Sequence, residues 1–221
     1  MKKQVIGVLC VAAACASFAE ETSPWSYRVG LTQITPHVVS GDLSAPSFSG
    51  TKADIGSSTQ MSGGVNYRLN ERWAIDIPLA LPFEHELYGA GAIQGVGKLG
   101  TVKALPITAL MQYQLSPENT TFKPYVGVGL TYAKFYGETG TAVLTSITGG
   151  TPSNPTTPSI QSQWAPSMQI GARYTLTEIW HVDVSYVKTY FDIQNRLSTG
   201  QTLNATINPS AISIGLGRSF K

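Results

Sequence analysis

The chain has 221 residues, of which 42% are hydrophobic and only 13% charged, about half the charge of an ordinary soluble domain. It is too charge-poor for disorder, and beyond residue 19 it has no apolar run of about 18 residues to cross a bilayer as a helix. Formal net charge is +2, from 15 basic and 13 acidic residues; without Lys2 and Lys3 at the N-terminus, 13 face 13, and no basic surface for nucleic acid is implied.

The chain opens Met1-Lys2-Lys3, runs apolar from Val5 to Ala14 and reaches Ser17-Phe18-Ala19. A basic start, a short apolar stretch and small residues before the cut read as a secretory signal over residues 1–19, with a mature chain over 20–221. Cys10 and Cys15 both lie in that segment. The mature chain is therefore expected to carry no thiol, disulfide or cysteine-bound metal.

From Glu20 onward the apolar period is two, the mark of strands. The first apolar registers are Trp25 to Leu31, Met61 to Leu69, Trp73 to Leu81 and Leu105 to Leu115. Val126 to Tyr132, Met168 to Leu176, Trp180 to Tyr186 and Ile212 to Phe220 follow, eight in all. A soluble barrel or sandwich would carry lysines and glutamates at the alternate positions. Here those positions hold mostly Gly, Ser, Thr, Ala and Gln, which suit a narrow lumen, so the apolar register is assigned to lipid.

Short links at Leu69 to Arg72, Ser116 to Phe122 and Leu176 to Ile179 alternate with long ones near 37–58, 84–101, 137–163 and 193–208. The expected fold is all-β, an eight-stranded antiparallel up-and-down transmembrane barrel with four long surface loops. Trp25, Tyr67, Trp73, Tyr113, Tyr125, Tyr174, Trp180 and Phe220 cluster near the short turns as an interfacial girdle. Phe83, Tyr132, Tyr136, Tyr186 and Tyr190 form the expected second one. The segment Tyr67 to Asp76 repeats at Tyr174 to Asp183, matching in Tyr, Leu, Glu, Trp and Asp across a short turn.

Other motifs carry less chemistry. Gly95-Val96-Gly97-Lys98-Leu99-Gly100 lacks the following helix of a dinucleotide site and reads as a flexible loop. His37, His85 and His181 show no metal-ligand spacing, and neither metal nor cofactor is expected. His85-Glu86 reads as a solvated loop edge. His37, Ser40 and His85 are the residues a lipid-modifying barrel enzyme would draw on.

The lumen register is more informative. Near the short-turn end it collects a polar plug of Arg28, Arg68, Asp76, Arg173 and Asp183, with Gln112, Gln114 and His181, whose charges should pair and close the bore to water. Toward the loops the same register turns apolar: Ile34, Pro78, Ala80, Pro82, Pro106, Thr108, Ala133, Val187 and Phe191.

Several segments resemble the OmpW family of small outer membrane proteins. They are Pro82-Phe83-Glu84-His85-Glu86-Leu87, Lys103 to Tyr113, Lys123-Pro124-Tyr125-Val126-Gly127-Val128-Gly129 through Tyr132, Trp180 to Val184, and Asn208-Pro209 to Phe220. Two departures are Lys221 after the closing aromatic and the Thr/Pro/Ser stretch from Thr148 to Ser159. The resemblance implies an eight-stranded barrel in the bacterial outer membrane with a narrow apolar bore, passing small hydrophobic molecules, and in some members serving as a bacteriocin receptor.

The expected function is thus binding or passage of small hydrophobic molecules, with outer membrane lipids as surroundings. A surface receptor for phage, bacteriocin or host, and a lipid-modifying enzyme, are the alternatives. Pro78, Pro82 and Pro106 fall on adjacent strands at about mid-membrane, where each missing backbone donor weakens the wall. Lateral release between the third and fourth strands is the exit this predicts.

Overall fold

The computed structural model describes residues 23–117 and 120–220. The expected export segment 1–19, both cysteines and Lys221 lie outside the described residues. Fourteen strands and one short helix follow in order: β1 (Trp25–Thr35), β2 (Val38–Ser40), β3 (Thr51–Ile55), β4 (Ser58–Arg68), β5 (Trp73–Ala80), β6 (Phe83–Gly91), β7 (Lys98–Gln114), β8 (Phe122–Gly140), α1 (Ala142–Ile147), β9 (Pro158–Ile160), β10 (Gln163–Thr175), β11 (Trp180–Thr189), β12 (Phe191–Leu197), β13 (Thr202–Ile207) and β14 (Ser210–Ser219).

Eight of these close the barrel. The antiparallel order runs β7-β5-β4-β1-β14-β11-β10-β8, and β8 pairs back onto β7. Closure leaves no free edge strand in the wall, as a spanning sheet requires, apart from one interruption between β5 and β7. The alternation places Val29, Leu31, Val128, Leu130, Met168, Ile170, Ile212 and Ile214 on the outer face, exposed as an apolar band. The inner face takes the small and polar register, because a bore of eight strands is only wide enough for side chains.

Aromatics mark the band's two rims. Near the short turns, Trp25 packs on Tyr67 with ring centroids 4.6 Å apart, Trp73 on Tyr113 at 4.9 Å and Tyr27 on Phe220 at 5.4 Å. On the far rim Tyr132 packs on Trp164 at 5.1 Å. Two residues expected in the girdles are inside instead: Tyr125 and Phe83 are both fully buried. Their strand register decides this, since Tyr125 alternates with outward Val126 and Phe83 with outward Glu84.

The repeated turn segments are structural repeats. Leu69 N donates to Trp73 O at 2.9 Å, and Leu176 N to Trp180 O at 2.8 Å. In the first, Asn70 Oδ1 accepts the N–H groups of Arg72 and Trp73; in the second, Thr177 Oγ1 accepts those of Ile179 and Trp180. A side-chain oxygen at the same place caps both tight turns.

The four long connections are built structure rather than plain loops. β6 and β7 run past the outer rim as a hairpin, with β3 added to the edge of β6. Gly95 and Gly97, at φ +87° and +94°, lie in that hairpin's turn over residues 92–97, and Lys98, Leu99 and Gly100 of the same motif open β7. A second sheet, β2-β13-β12-β9, lies in the remaining connections. Leu43, Leu87, Leu99, Leu144, Leu197 and Leu203 share a buried core there with Phe191, Ile193 and Ile207, which supplies the burial that holds the connections in order. Thr148 Oγ1 donates to Leu144 O at 2.6 Å and lies 2.8 Å from Thr156 Oγ1, and Thr156 is fully buried, so hydroxyl contacts tie the Thr/Pro/Ser stretch down.

Candidate functional site

The lower half of the lumen is held by ion pairs. Arg28 on β1 donates from Nη1 and Nη2 to the two carboxylate oxygens of Asp76 on β5, at 2.6 and 2.9 Å. Such a fork-to-fork pair is the strongest geometry available to these groups. The Nε of Arg28 lies 3.8 Å from Asp183 Oδ1, and Arg173 Nε lies 3.7 Å from Asp183 Oδ2. Tyr125 Oη donates to both oxygens of Asp183, at 3.0 and 3.1 Å. Arg68 lines a vestibule one layer nearer the short turns, together with Lys123, Arg173 and His181.

An amide layer crosses the lumen beside these charges. Asn66 Nδ2 donates to Gln112 Oε1 and Gln112 Nε2 to Gln169 Oε1, both at 2.8 Å. Glycines make the room. A Cβ on Gly64 would stand 2.8 Å from the Arg28 guanidinium, one on Gly171 2.5 Å from the Tyr125 ring, and one on Gly217 2.1 Å from the His181 ring. Tyr125, Asn66 and Gln169 carry no charge to single them out in the sequence, although the register alone puts each inside.

Above the ion pairs lies a cavity of about 130 Å³, on the scale of a void that holds benzene. Ile34, Pro78, Ala80, Pro106, Thr108, Ala133, Val187 and Phe191 line it; Pro82 does not and sits instead at the break between β5 and β6. Thr108 is polar in its contacts, since its hydroxyl is 2.8 Å from that of Thr131. Phe83, Val102, Phe135, Ile160 and Ile207 complete the apolar upper wall from the extramembrane hairpins.

The wall beside this cavity has a gap in its ladder. β5 pairs with β7 from Trp73↔Tyr113 to Asp76↔Leu110, and pairing resumes with β6 at Phe83↔Ala104. Between them residues 77–82 stand against 105–109, six against five. The odd residue and three prolines leave that stretch unpaired. A proline alone does not break the wall: Pro166 on β10 keeps its place opposite Leu130 on β8.

His85 is a correction to the expected solvated edge. It is buried, and its Nδ1 lies 2.8 Å from the carbonyl of Gly56. Burial lowers its pKa below the ordinary 6.5. It sits above the outer rim, beside Glu84 and Lys103, which face outward 3.9 Å apart. Ser40 Oγ donates to Gly41 O and accepts from Ala53 N, and His37 O accepts from Asn208 N. Among the described residues no hydrogen bond joins either histidine to Ser40.

A sequence model of the OmpW family matches residues 25–220. The chain belongs to the OmpW family. Outer membrane protein W of Vibrio cholerae serotype O1 is 26% identical over 227 residues, covering all of both chains. The dibenzothiophene metabolism operon protein DoxH of a Pseudomonas strain is 26% identical over 216 residues, covering 94% of this chain and 93% of its own. The crystal structure of OprG from Pseudomonas aeruginosa superposes with a TM-score of 0.78 at 25% identity, over 90% of this chain and 97% of that one. This OmpW-family barrel therefore resides in the bacterial outer membrane.

Proposed function

We propose that this barrel, exported by its first 19 residues, takes small hydrophobic molecules through its extramembrane cap and releases them sideways into the bilayer. The observation that carries this reading is the coincidence of the apolar cavity with the unpaired stretch 77–82 against 105–109. Straight passage meets the paired charges of Arg28, Asp76, Asp183 and Arg173, which act as a plug. An apolar solute gains about 0.8 kcal/mol per methylene by moving into hydrocarbon rather than water, so the open flank is the downhill exit. A relative whose name places it in a dibenzothiophene metabolism operon, hence near an apolar fused-ring compound, supports that substrate class.

The residues assigned roles are structural or wall-forming, and the reading is non-enzymatic. The test restores the missing donors with Pro78→Val, Pro82→Val and Pro106→Val. Uptake of a hydrophobic tracer into proteoliposomes should slow while unfolding stability holds or rises. Unchanged uptake with a re-formed ladder sinks the lateral route.

A further inference from the structure

Between the apolar cavity and the ion pairs, the lumen wall carries a belt of hydroxyls. Thr108 and Thr131 are 2.8 Å apart, Thr131 and Ser167 2.7 Å, and Ser167 and Thr189 2.9 Å. On the other side Thr32 donates to Ser62 at 2.7 Å and lies 2.7 Å from Ser213. The first arc takes one residue each from β7, β8, β10 and β11, and the second one each from β14, β1 and β4. On β5, the one wall strand without a member, the register partner of Ser62 is Ala80. From strand to strand the register steps toward the short turns, between Thr131 and Ser167, Thr189 and Ser213, and Thr32 and Ser62. Such steps are what a tilted barrel needs for its residues to share one depth.

Six of these hydroxyls and Ala80 line the cavity floor, with Arg28 and Asp183 at the same floor. A hydroxyl has one proton and two lone pairs. Four hydroxyls joined by three bonds leave one proton over, and three joined by two leave another. We infer that the belt is a head-group subsite, so that the ligand is an amphiphile with its apolar body in the upper cavity and one uncharged oxygen acceptor on the hydroxyls. This rests on the reading that the cavity takes apolar molecules, and it narrows the class to ketones, esters, ethers and alcohols.

A carboxylate fits the floor poorly. Arg28 already spends both terminal nitrogens on Asp76, and Asp183 would face the incoming charge. Burying a second anion without a new cation is costly. A neutral oxygen gives up only its water hydrogen bonds, which the belt replaces.

The test compares heptane, 2-heptanone and heptanoate binding to the full-length barrel in lipid nanodiscs, each corrected for partition into protein-free discs. The ketone should bind about five- to tenfold tighter than heptane, the size of one net hydrogen bond, and heptanoate more weakly than the ketone. In Thr32→Val with Thr131→Val the ketone-to-heptane ratio should fall to about one. Equal affinities in the parent protein overturn the subsite while leaving apolar binding in place, and heptanoate matching the ketone overturns its neutral character. Binding of neither heptane nor ketone removes the cavity reading and the subsite together.

Discussion

Asp76 and Asp183 occupy equivalent places in two hairpins four wall strands apart, each three residues beyond the tryptophan that closes a capped turn. Both carboxylates converge on one guanidinium, that of Arg28, which stands two strands from either. The sequence repeat is thus a charge repeat with a single cation at its centre.

Removing one carboxylate should leave that cation buried and underpaired. Asp76→Ala is expected to destabilise the barrel by about 3 to 5 kcal/mol, whereas Arg28→Met with Asp76→Leu should cost less, because both charges of the forked pair go and Asp183 keeps Arg173 and the Tyr125 hydroxyl. Denaturant unfolding followed by tryptophan fluorescence in micelles checks both. Equal losses for the single and double variants would show that the pair's charge is not what matters.

The glycines facing large lumen side chains predict a coupled pair. Gly171→Ala drives a methyl into the Tyr125 ring and should cost about 1 to 3 kcal/mol. In a Tyr125→Leu background the same change should cost a fraction of that, because the clashing ring is gone. A double-mutant cycle reads the coupling, and strict additivity would contradict the contact.

Acid should loosen the cap through His85. Its folded pKa lies below the ordinary 6.5, so between the two values the opened cap binds more protons than the closed one. Stability is therefore full above about 6.5 and declines as pH falls through that window. Amide exchange in β3 and β6 should quicken at pH 5.5 relative to pH 7.5, and His85→Gln should flatten the difference. Equal exchange at both values would remove His85 as the cause.

The barrel was legible because a period of two with small alternate residues has few other solutions. Arg28, Asp76, Arg173 and Asp183 stood out as charges on a register otherwise filled by Gly, Ser and Thr. Tyr125 did not, since an aromatic near a short turn resembles a girdle residue until the alternation is counted through Val126 and Val128. The cap stayed hidden because Phe83, His85 and Leu87 alternate with Glu84 and Glu86, which makes a strand above the membrane read as a polar loop. The prolines marked the interrupted ladder, but the extra residue in 77–82 belongs to pairing, which no single strand displays. The hydroxyl belt depends on how far strands step past one another, and that too is a property of the closed wall.

The charge network also spans the seam where the first and last wall strands meet. Arg28 sits on β1, and Asp76 reaches it through β4 and β5, neighbours along the chain. Asp183 reaches it only through β14, once the first and last wall strands have zipped together. Until that final seam forms, a half-built sheet carries both an unpaired edge and an incompletely neutralised interior. Edge and interior are resolved in the same event, so the chain has little to gain from stopping one ladder short, and closure is tied to the same residues that pair inside the bore.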